Sequence, residues 1–136
     1  DNWLKELDKA GTDPLDQLIA LIKGDFAPSI CNSEKLSIWF AYWGEQKFTP
    51  EYANVFTHFD QKRFDVIRGI CQKLLGSASE DDADTMASWI ETLTDGYWQK
   101  LHLFPKTITT KQAVTQTLEL VGKLLPDYAD RISQRS

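Results

Sequence analysis

Residues 86–104 read MASWIETLTDGYWQKLHLF, and this stretch carries the clearest structural signal in the sequence. Its large apolar side chains recur every three or four positions, at Met86, Trp89, Ile90, Leu93, Tyr97, Trp98, Leu101 and Phe104. That spacing follows one face of an α-helix, and Pro105 predicts its end because proline cannot continue a helix. Gly96 costs such a helix about 1 kcal/mol relative to alanine, which predicts a packing reason such as a closely approaching partner helix.

The same periodicity continues in both directions from this stretch and predicts six helices. Upstream, Gly11 ends a first segment, and Asp13 with Pro14 caps and opens a second. Further helices are expected at about 33–47, 50–75 and 110–125, with a polar loop at 77–84 and a frayed tail after residue 128. The third is apolar on nearly all sides between Ile38 and Trp43, so it is expected in the middle of the domain. No run alternates like a strand, and the predicted fold class is all-α, a helical bundle.

Size, composition and charge narrow the class of protein. The 136 residues and the apolar content of 42% are typical of one globular domain. The net charge of −5 disfavours contact with a phosphate backbone, so this chain alone is not expected to bind DNA. No apolar run approaches the roughly 20 residues of a membrane span and no signal peptide opens the sequence, which predicts a cytoplasmic protein without a membrane partner. The five Trp, seven Phe and four Tyr indicate a wide cavity or a large interface.

Catalytic, metal and redox chemistry are not predicted. His58 and His102 belong to no nucleophile motif; the first is expected on the surface and the second at a hydrogen-bonded edge. Cys31 and Cys71 lack the spacing of a metal or redox site, so both are expected to be reduced and packed. The sequence therefore predicts neither an enzyme nor a cofactor.

Two charged residues interrupt the apolar stripe of the fourth helix. Asp60 and Arg63 are three positions apart, which favours an ion pair on the helix surface. The alternative is a polar side chain that projects into a cavity.

Two stretches resemble one family. The first is LSIWFAYWGE at residues 36–45, followed by TPEY at 49–52. It is similar to the W-L-A-F-W-A-E and S-P-E-L pattern of TetR/AcrR-type regulators of the betaine-choline repressor (BetI-like) type. The second is DGYW at residues 95–98, followed by residues 101–105, which resembles the D-G-L-W-L segment that precedes a proline in that subgroup. Tyr97 departs from the pattern, since an aliphatic residue is usual there.

The resemblance implies the C-terminal effector-sensing and dimerisation domain of a bacterial transcription repressor. Such a repressor has an N-terminal helix-turn-helix domain, absent from this sequence, through which all contact with operator DNA would be made. Because the chain begins with Asp1 rather than Met, residues 1–10 are expected to be the remnant of a connecting helix, and residues 11–130 the effector-binding and dimerisation domain. The alternative is a stand-alone helical protein-interaction domain without a small-molecule pocket.

A ligand site is expected where the third and fourth helices turn aromatic rings towards each other. The expected lining residues are Trp39, Tyr42, Trp43, Phe56 and Phe59, with Glu45 as a nearby carboxylate and the inner face of Trp89 and Leu93 closing the site. Rings attract cations with about 0.5 to 2 kcal/mol per contact, so a small, largely apolar effector with a cationic group, such as choline, is one candidate. The alternative is that these rings are ordinary core and Glu45 is solvated.

The last two helices carry more apolar surface than one small domain buries. Pairing them with their two-fold mates predicts a homodimer held by a four-helix bundle. The residues expected at this interface are Trp98, Leu101, Val114, Leu118, Val121 and Leu125.

Overall fold

Helices are the only regular secondary structure in the described part of the chain. The computed structural model describes the backbone of residues 2–76 and 80–135 and the side chains of residues 4–51, 60–76 and 80–135. The elements are α1 (Asn2–Lys9), α2 (Pro14–Asp25), α3 (Ser33–Glu45), α4 (Pro50–Leu75), α5 (Glu80–Leu103), α6 (Thr110–Leu124), a 3₁₀ turn (Pro126–Tyr128) and α7 (Ala129–Arg135). Within these ranges there is no strand, so the predicted all-α class is confirmed, with one helix more than the six expected.

Local capping signals fix where the helices start and stop. The Asp13 carboxylate accepts a hydrogen bond from the Asp16 backbone N–H (3.0 Å), and Pro14 takes the first helical position of α2. At α6 the Thr109 hydroxyl accepts from the Gln112 N–H (3.1 Å) while the Gln112 side chain accepts from the Thr109 N–H (2.9 Å). These contacts satisfy backbone donors that have no partner inside the helix.

Two boundaries differ from the sequence prediction. The expected loop at 77–84 is helical from Glu80 onwards. The acidic side chains in the first turn of α5 stabilise its N-terminus, because they interact favourably with the positive end of the helix dipole. Residues 77–79 lie outside the described part. The expected frayed tail forms α7 instead. Ile132 is 3% exposed, and Arg131 pairs with Asp13 at 2.9 Å. The packed unit therefore extends beyond residue 130.

Four helices supply most of the core. α4 packs along α5, and α2 lies against both α4 and α6. Their innermost side chains are fully buried: Leu15, Leu18 and Ile22 of α2, Ile67 of α4, Ile90 of α5, and Leu118 and Val121 of α6. α1 packs on α2 and α7 packs on α6, so these short helices cover the ends of the bundle.

α3 lies at the edge of the domain, and its predicted central position is wrong. Leu36 is its one buried residue, while Ile38 and Tyr42 are 49% and 41% exposed. Leu36, Phe40 and Trp43 follow each other at helical spacing, so this side of α3 meets α5, while Ile38 and Tyr42 remain exposed. Aromatic rings make contacts between α3 and α5. The ring centroids of Phe40 and His102 lie 4.8 Å apart and those of Trp43 and Trp98 lie 6.3 Å apart, and both pairs are stacked.

Candidate functional site

A cavity of about 940 Å³ opens between α1, α2, α3, α4 and α5. This volume lies at the upper end of the range found for small-molecule sites, roughly 300 to 1,000 Å³. Its described lining combines tryptophan rings with charged side chains from all five helices. The cavity can therefore offer a ligand both apolar area and specific charge contacts.

Tryptophans form one wall of the cavity. Trp39 and Trp43 reach it from α3 and Trp98 reaches it from α5. The rings of Trp43 and Trp98 are stacked with an interplanar angle of 17°. The indole N–H of Trp98 donates to the backbone carbonyl of Asp25 at 3.0 Å, which fixes the ring against the end of α2. A bound molecule would thus meet flat, positioned aromatic faces.

A charged cluster forms another part of the lining. Arg63 of α4 reaches Asp25 of α2, with its Nη2 at 2.5 Å from Oδ2, and its Nε lies 3.0 and 3.2 Å from the two carboxylate oxygens of Glu91 on α5. The side chains of Arg63 and Asp25 are only 12% and 6% exposed. Buried charges are tolerated when they are paired in this way, so the guanidinium joins three helices at one point.

The predicted surface pair between Asp60 and Arg63 is wrong, because Arg63 turns inward to Asp25 and Glu91. These partners are 38 and 28 residues away along the chain, a distance at which no helical spacing gives a signal. The interruption of the α4 stripe by a charge was the available hint. The less favoured alternative, a polar side chain projecting into a cavity, describes Arg63.

Two further carboxylates face the cavity beside this cluster. Asp60 and Asp95 both line it, and the four acids Asp25, Asp60, Glu91 and Asp95 together with Arg63 are called the acidic cluster below. Partial burial, followed by the charges of Glu91 and Asp60, raises the pKa of Asp95 to about 6, while the charge of Arg63 opposes them. The cluster therefore holds four carboxylates and one guanidinium, which pairs with two of them, Asp25 and Glu91.

The buried pair within the cluster keeps its charges at neutral pH. Burial raises the pKa of Asp25 to about 6, against the attraction of Arg63. Burial alone would lower the pKa of Arg63, but the charges of Asp25 and Glu91 outweigh it and raise the pKa. Arg63 thus stays cationic, and Asp25 takes up a proton in mildly acidic solution.

The two sides of α5 serve different spaces. Glu91, Thr94, Asp95 and Trp98 stand at positions i, i+3, i+4 and i+7, which share one face of a helix, and they line the cavity. Trp89 and Leu93 lie on the other side of the helix and line a separate groove of about 590 Å³. This α5–α6 groove is completed by Thr92, Gly96, Tyr97, Lys100, Leu120 and Leu124. The prediction that Trp89 and Leu93 close the ligand site disagrees with this arrangement, because helical periodicity turns both residues to the α5–α6 groove.

The remaining expected ligand residues divide into three groups. Trp39 and Trp43 line the cavity. Tyr42 and Glu45 are exposed and are not among its described lining residues. The side chains of Phe56 and Phe59 lie outside the described residues. Sequence reasoning missed the acidic cluster, although the charged residues at helical spacing on α4 and α5 were a usable signal.

Most residues expected at a dimer interface belong to the interior of the chain itself. Leu101, Leu118, Val121 and Leu125 are at most 8% exposed and form part of the core, and Trp98 lines the cavity. Val114 is partly buried against that core. The physical reason is that this side of α6 packs on α2 and α5. The apolar surface left open on α5 and α6 is the α5–α6 groove, where Trp89 is 51% exposed.

Other candidate chemistry in the described part of the chain is limited. Cys31 and Cys71 are buried, and burial raises the pKa of each thiol to about 11, which disfavours the reactive thiolate. His102 is half-buried under Phe40, and the side chain of His58 lies outside the described residues. No group of three potential ligands among the described residues is arranged to hold a metal ion. None of the described helices is both long and apolar enough to cross a membrane.

Comparison with known proteins gives consistent matches. Residues 14–126 match the family described as BetI-type transcriptional repressor, C-terminal. The chain is 29% identical over 89 residues to the HTH-type transcriptional regulator BetI of Stenotrophomonas maltophilia (strain R551-3), covering 65% of this chain and 44% of that protein. It is 25% identical over 112 residues to BetI of Pseudomonas aeruginosa (strain LESB58), covering 82% of this chain and 55% of that protein.

A solved structure shares the fold. A protein assigned as a transcriptional regulator in Pseudomonas aeruginosa PAO1 superposes with a TM-score of 0.81 at 22% identity, covering 96% of this chain and 64% of that one. These relatives are regulators rather than enzymes. The chain spans about half the length of the curated relatives that it matches, 44% and 55% in the two cases above.

Proposed function

Because this chain belongs to the family of BetI-type transcriptional repressor C-terminal domains, we propose that it senses a small effector and dimerises a TetR-type repressor. In this proposal, operator DNA is contacted by a separate helix-turn-helix domain, and the effector changes its affinity. The single observation that carries the sensing role is the cavity of about 940 Å³ with its tryptophan wall and acidic cluster.

The position of α1 supports a link between the cavity and a preceding domain. Lys5, Glu6 and Lys9 of α1 line the cavity, together with residues of α4 and α5. A ligand that touches α1 on one side and α4 and α5 on the other would favour one placement of α1. Two DNA-reading heads must stand one helical turn of DNA apart, so a small change in α1 would alter operator affinity.

The lining favours an effector with a cationic group. Trp39, Trp43 and Trp98 offer ring faces, and the acidic cluster offers carboxylates within the same cavity. A cation gains from both kinds of contact. The resemblance to the betaine-choline subgroup points in the same direction, since choline carries such a group on a small apolar body.

The α5–α6 groove supports dimerisation. Trp89 is 51% exposed there, and a Cβ atom added at Gly96 would meet nothing within 4 Å in the described chain. The partner helix that Gly96 predicts is therefore not provided by the described part of this chain. A second copy, related by a two-fold axis, would cover the groove and complete a four-helix bundle from two α5 and two α6 helices.

Thermal denaturation, followed by circular dichroism, tests the sensing role. The chain is heated with quaternary ammoniums, lipophilic amines, fatty acids and polyamines in turn. An effector at a hundred times its Kd adds about 2.7 kcal/mol to the free energy of unfolding and raises Tm. Trp43→Ala should remove this response, whereas Trp89→Ala, in the α5–α6 groove, should keep it. If no compound raises Tm, or if both variants respond like the parent, the cavity is not a sensor site.

A further inference from the structure

Besides the acidic cluster, four lysines line the cavity. Lys5 and Lys9 belong to α1, Lys23 to α2 and Lys35 to α3. All four are exposed, so they lie where the cavity meets solvent. These residues are called the lysine rim. Among the described lining residues, α1, α2 and α3 thus carry four lysines and two carboxylates, while α4 and α5 carry three carboxylates and one guanidinium.

Within the described residues, the lysines of the rim form no ion pairs with the acidic cluster. Lys23 donates to the backbone carbonyl of Arg135 at 2.6 Å and Lys35 to that of Ser29 at 2.5 Å. A carbonyl accepts a hydrogen bond without neutralising the charge. Lys9 lies 3.4 Å from Glu6 of its own helix. Within the described residues, no ion pair joins a rim lysine to a carboxylate of the acidic cluster, so the two sets of charge stay separate.

The acidic cluster keeps capacity for a further cation. Arg63 is engaged by Asp25 and Glu91. No ion pair among the described residues holds Asp60 or Asp95, and both carboxylates are accessible and line the cavity. An ammonium group placed here would find two carboxylates and the tryptophan faces close by.

We propose that the cavity takes a zwitterionic ligand. Its ammonium end lies against Asp60 and Asp95, its apolar middle lies along the tryptophan wall, and its carboxylate end is held by the lysine rim. The inference rests on the proposed sensing function and specifies the charge pattern of the effector. A simple cation would leave the lysine rim without a partner in the ligand. A zwitterion satisfies both sets of charge, and its carboxylate end would draw on Lys5 and Lys9, which connects the ligand to α1.

Four ligands of equal chain length test the charge pattern. Isothermal titration calorimetry of the chain at neutral pH and low salt compares ω-aminooctanoic acid with octylamine, octanoic acid and diaminooctane. The amino acid should bind at least about ten-fold more tightly than each of the other three. The preference should shrink at high salt, because the rim lysines are exposed and salt screens exposed charges. Equal or tighter binding of octylamine or diaminooctane overturns the proposal.

Variants at each end of the site separate the two contacts. The double variant Lys5→Gln, Lys9→Gln should weaken binding of ω-aminooctanoic acid and leave octylamine unchanged. Asp95→Asn should weaken both ligands alike. Lys62→Gln removes an exposed lysine outside the described lining and serves as the matched control. If the rim variant binds ω-aminooctanoic acid like the control, the lysine rim has no role in binding.

The outcomes distinguish this inference from the sensing function on which it rests. A compound from the wider set that raises Tm in a Trp43-dependent manner, without preference for a zwitterion, supports the sensor and rejects the charge pattern. Failure of every compound, the four octyl ligands included, rejects both.

Discussion

Arg63 is the residue on which the acidic cluster depends. Its guanidinium contacts Asp25 and Glu91, and all three side chains are at most 24% exposed. Arg63→Met would leave two carboxylates without their cation in a poorly hydrated place. The free energy of unfolding should then fall by about 3 kcal/mol at neutral pH.

The loss should become smaller near pH 5, because Asp25 has a pKa of about 6 and is largely protonated there. Urea denaturation at the two pH values measures both effects. Lys62→Met, which changes an exposed residue of the same helix, is the control. An equal loss at the two pH values would show that the charge of Asp25 is not what Arg63 offsets.

Asp95 gives a second pH-dependent prediction, and here the contribution to the free energy of unfolding falls as the pH rises. Its pKa is raised from 3.8 to about 6 by burial and by the charges of Glu91 and Asp60. The folded protein therefore holds this proton more tightly than the unfolded chain does. The contribution of this proton to the free energy of unfolding is fully present below about pH 4 and is lost as the pH rises through about 6.

Asp95→Asn removes that dependence. Relative to the variant, the parent protein should lose stability across this window, and at neutral pH the variant should be at least as stable as the parent. Tm measured at several pH values gives the difference directly. A difference that stays constant with pH would contradict the raised pKa.

At the scale of single elements, a substitution at Gly96 of α5 can test dimerisation without changing the fold of one chain. A Cβ atom added at Gly96 meets nothing within 4 Å in the described chain, so a side chain here starts in open space. Gly96→Leu should therefore leave the fold of one chain intact, and removing a helical glycine favours the helix. The same side chain would obstruct a second copy seated in the α5–α6 groove. Sedimentation should therefore show a shift from dimer to monomer with unchanged helical circular dichroism.

Gly44→Leu provides the matched control, since Gly44 is also helical and also has open space around it, but lies on α3. A parent chain that sediments as a monomer, or a Gly96→Leu variant that remains a dimer, would remove the α5–α6 groove as the interface.

The elements also show what sequence can and cannot foresee. Caps such as Asp13 and Thr109 act within a few residues, so the starts of α2 and α6 follow from local sequence. The burial of α3 depends on which neighbours surround it, and an apolar sequence does not specify them. The two sides of α5 could have been separated by spacing, since Glu91 and Asp95 share one face while Trp89 and Leu93 share another.

Contacts between residues far apart in the sequence account for the parts of the site that the sequence did not predict. The structure places Trp39 and Trp43 on the cavity, in agreement with the aromatic pattern of α3. The partners of Arg63 come from two other helices, and only the folded arrangement brings them together. A charge within an apolar stripe marks such a position without naming its partner.

For the whole molecule, the distribution of charge decides how the cavity would act. The chain carries a net charge of −5, yet its lysine rim is a local exception at α1, α2 and α3. Attraction of a carboxylate to this rim would be a local effect, because charges more than about 8 Å apart are screened at physiological salt. The rim thus selects by short-range contact rather than by the overall field.

The tryptophan wall makes the protein its own optical reporter. Among the tryptophans whose side chains are described, Trp39, Trp43 and Trp98 line the cavity, and the ring centroids of Trp43 and Trp98 lie 6.3 Å apart with nearly parallel planes. Indole emission shifts to shorter wavelength when water leaves its surroundings, and stacked indoles couple in the near-ultraviolet. Filling the cavity should therefore shift the emission and alter the near-ultraviolet dichroism of the unlabelled chain. Trp43→Phe should reduce this signal, because only Trp39 and Trp98 then report from the described lining, and Trp89→Phe should keep it in full. Equal signals in the two variants would mean that the emitting rings lie elsewhere.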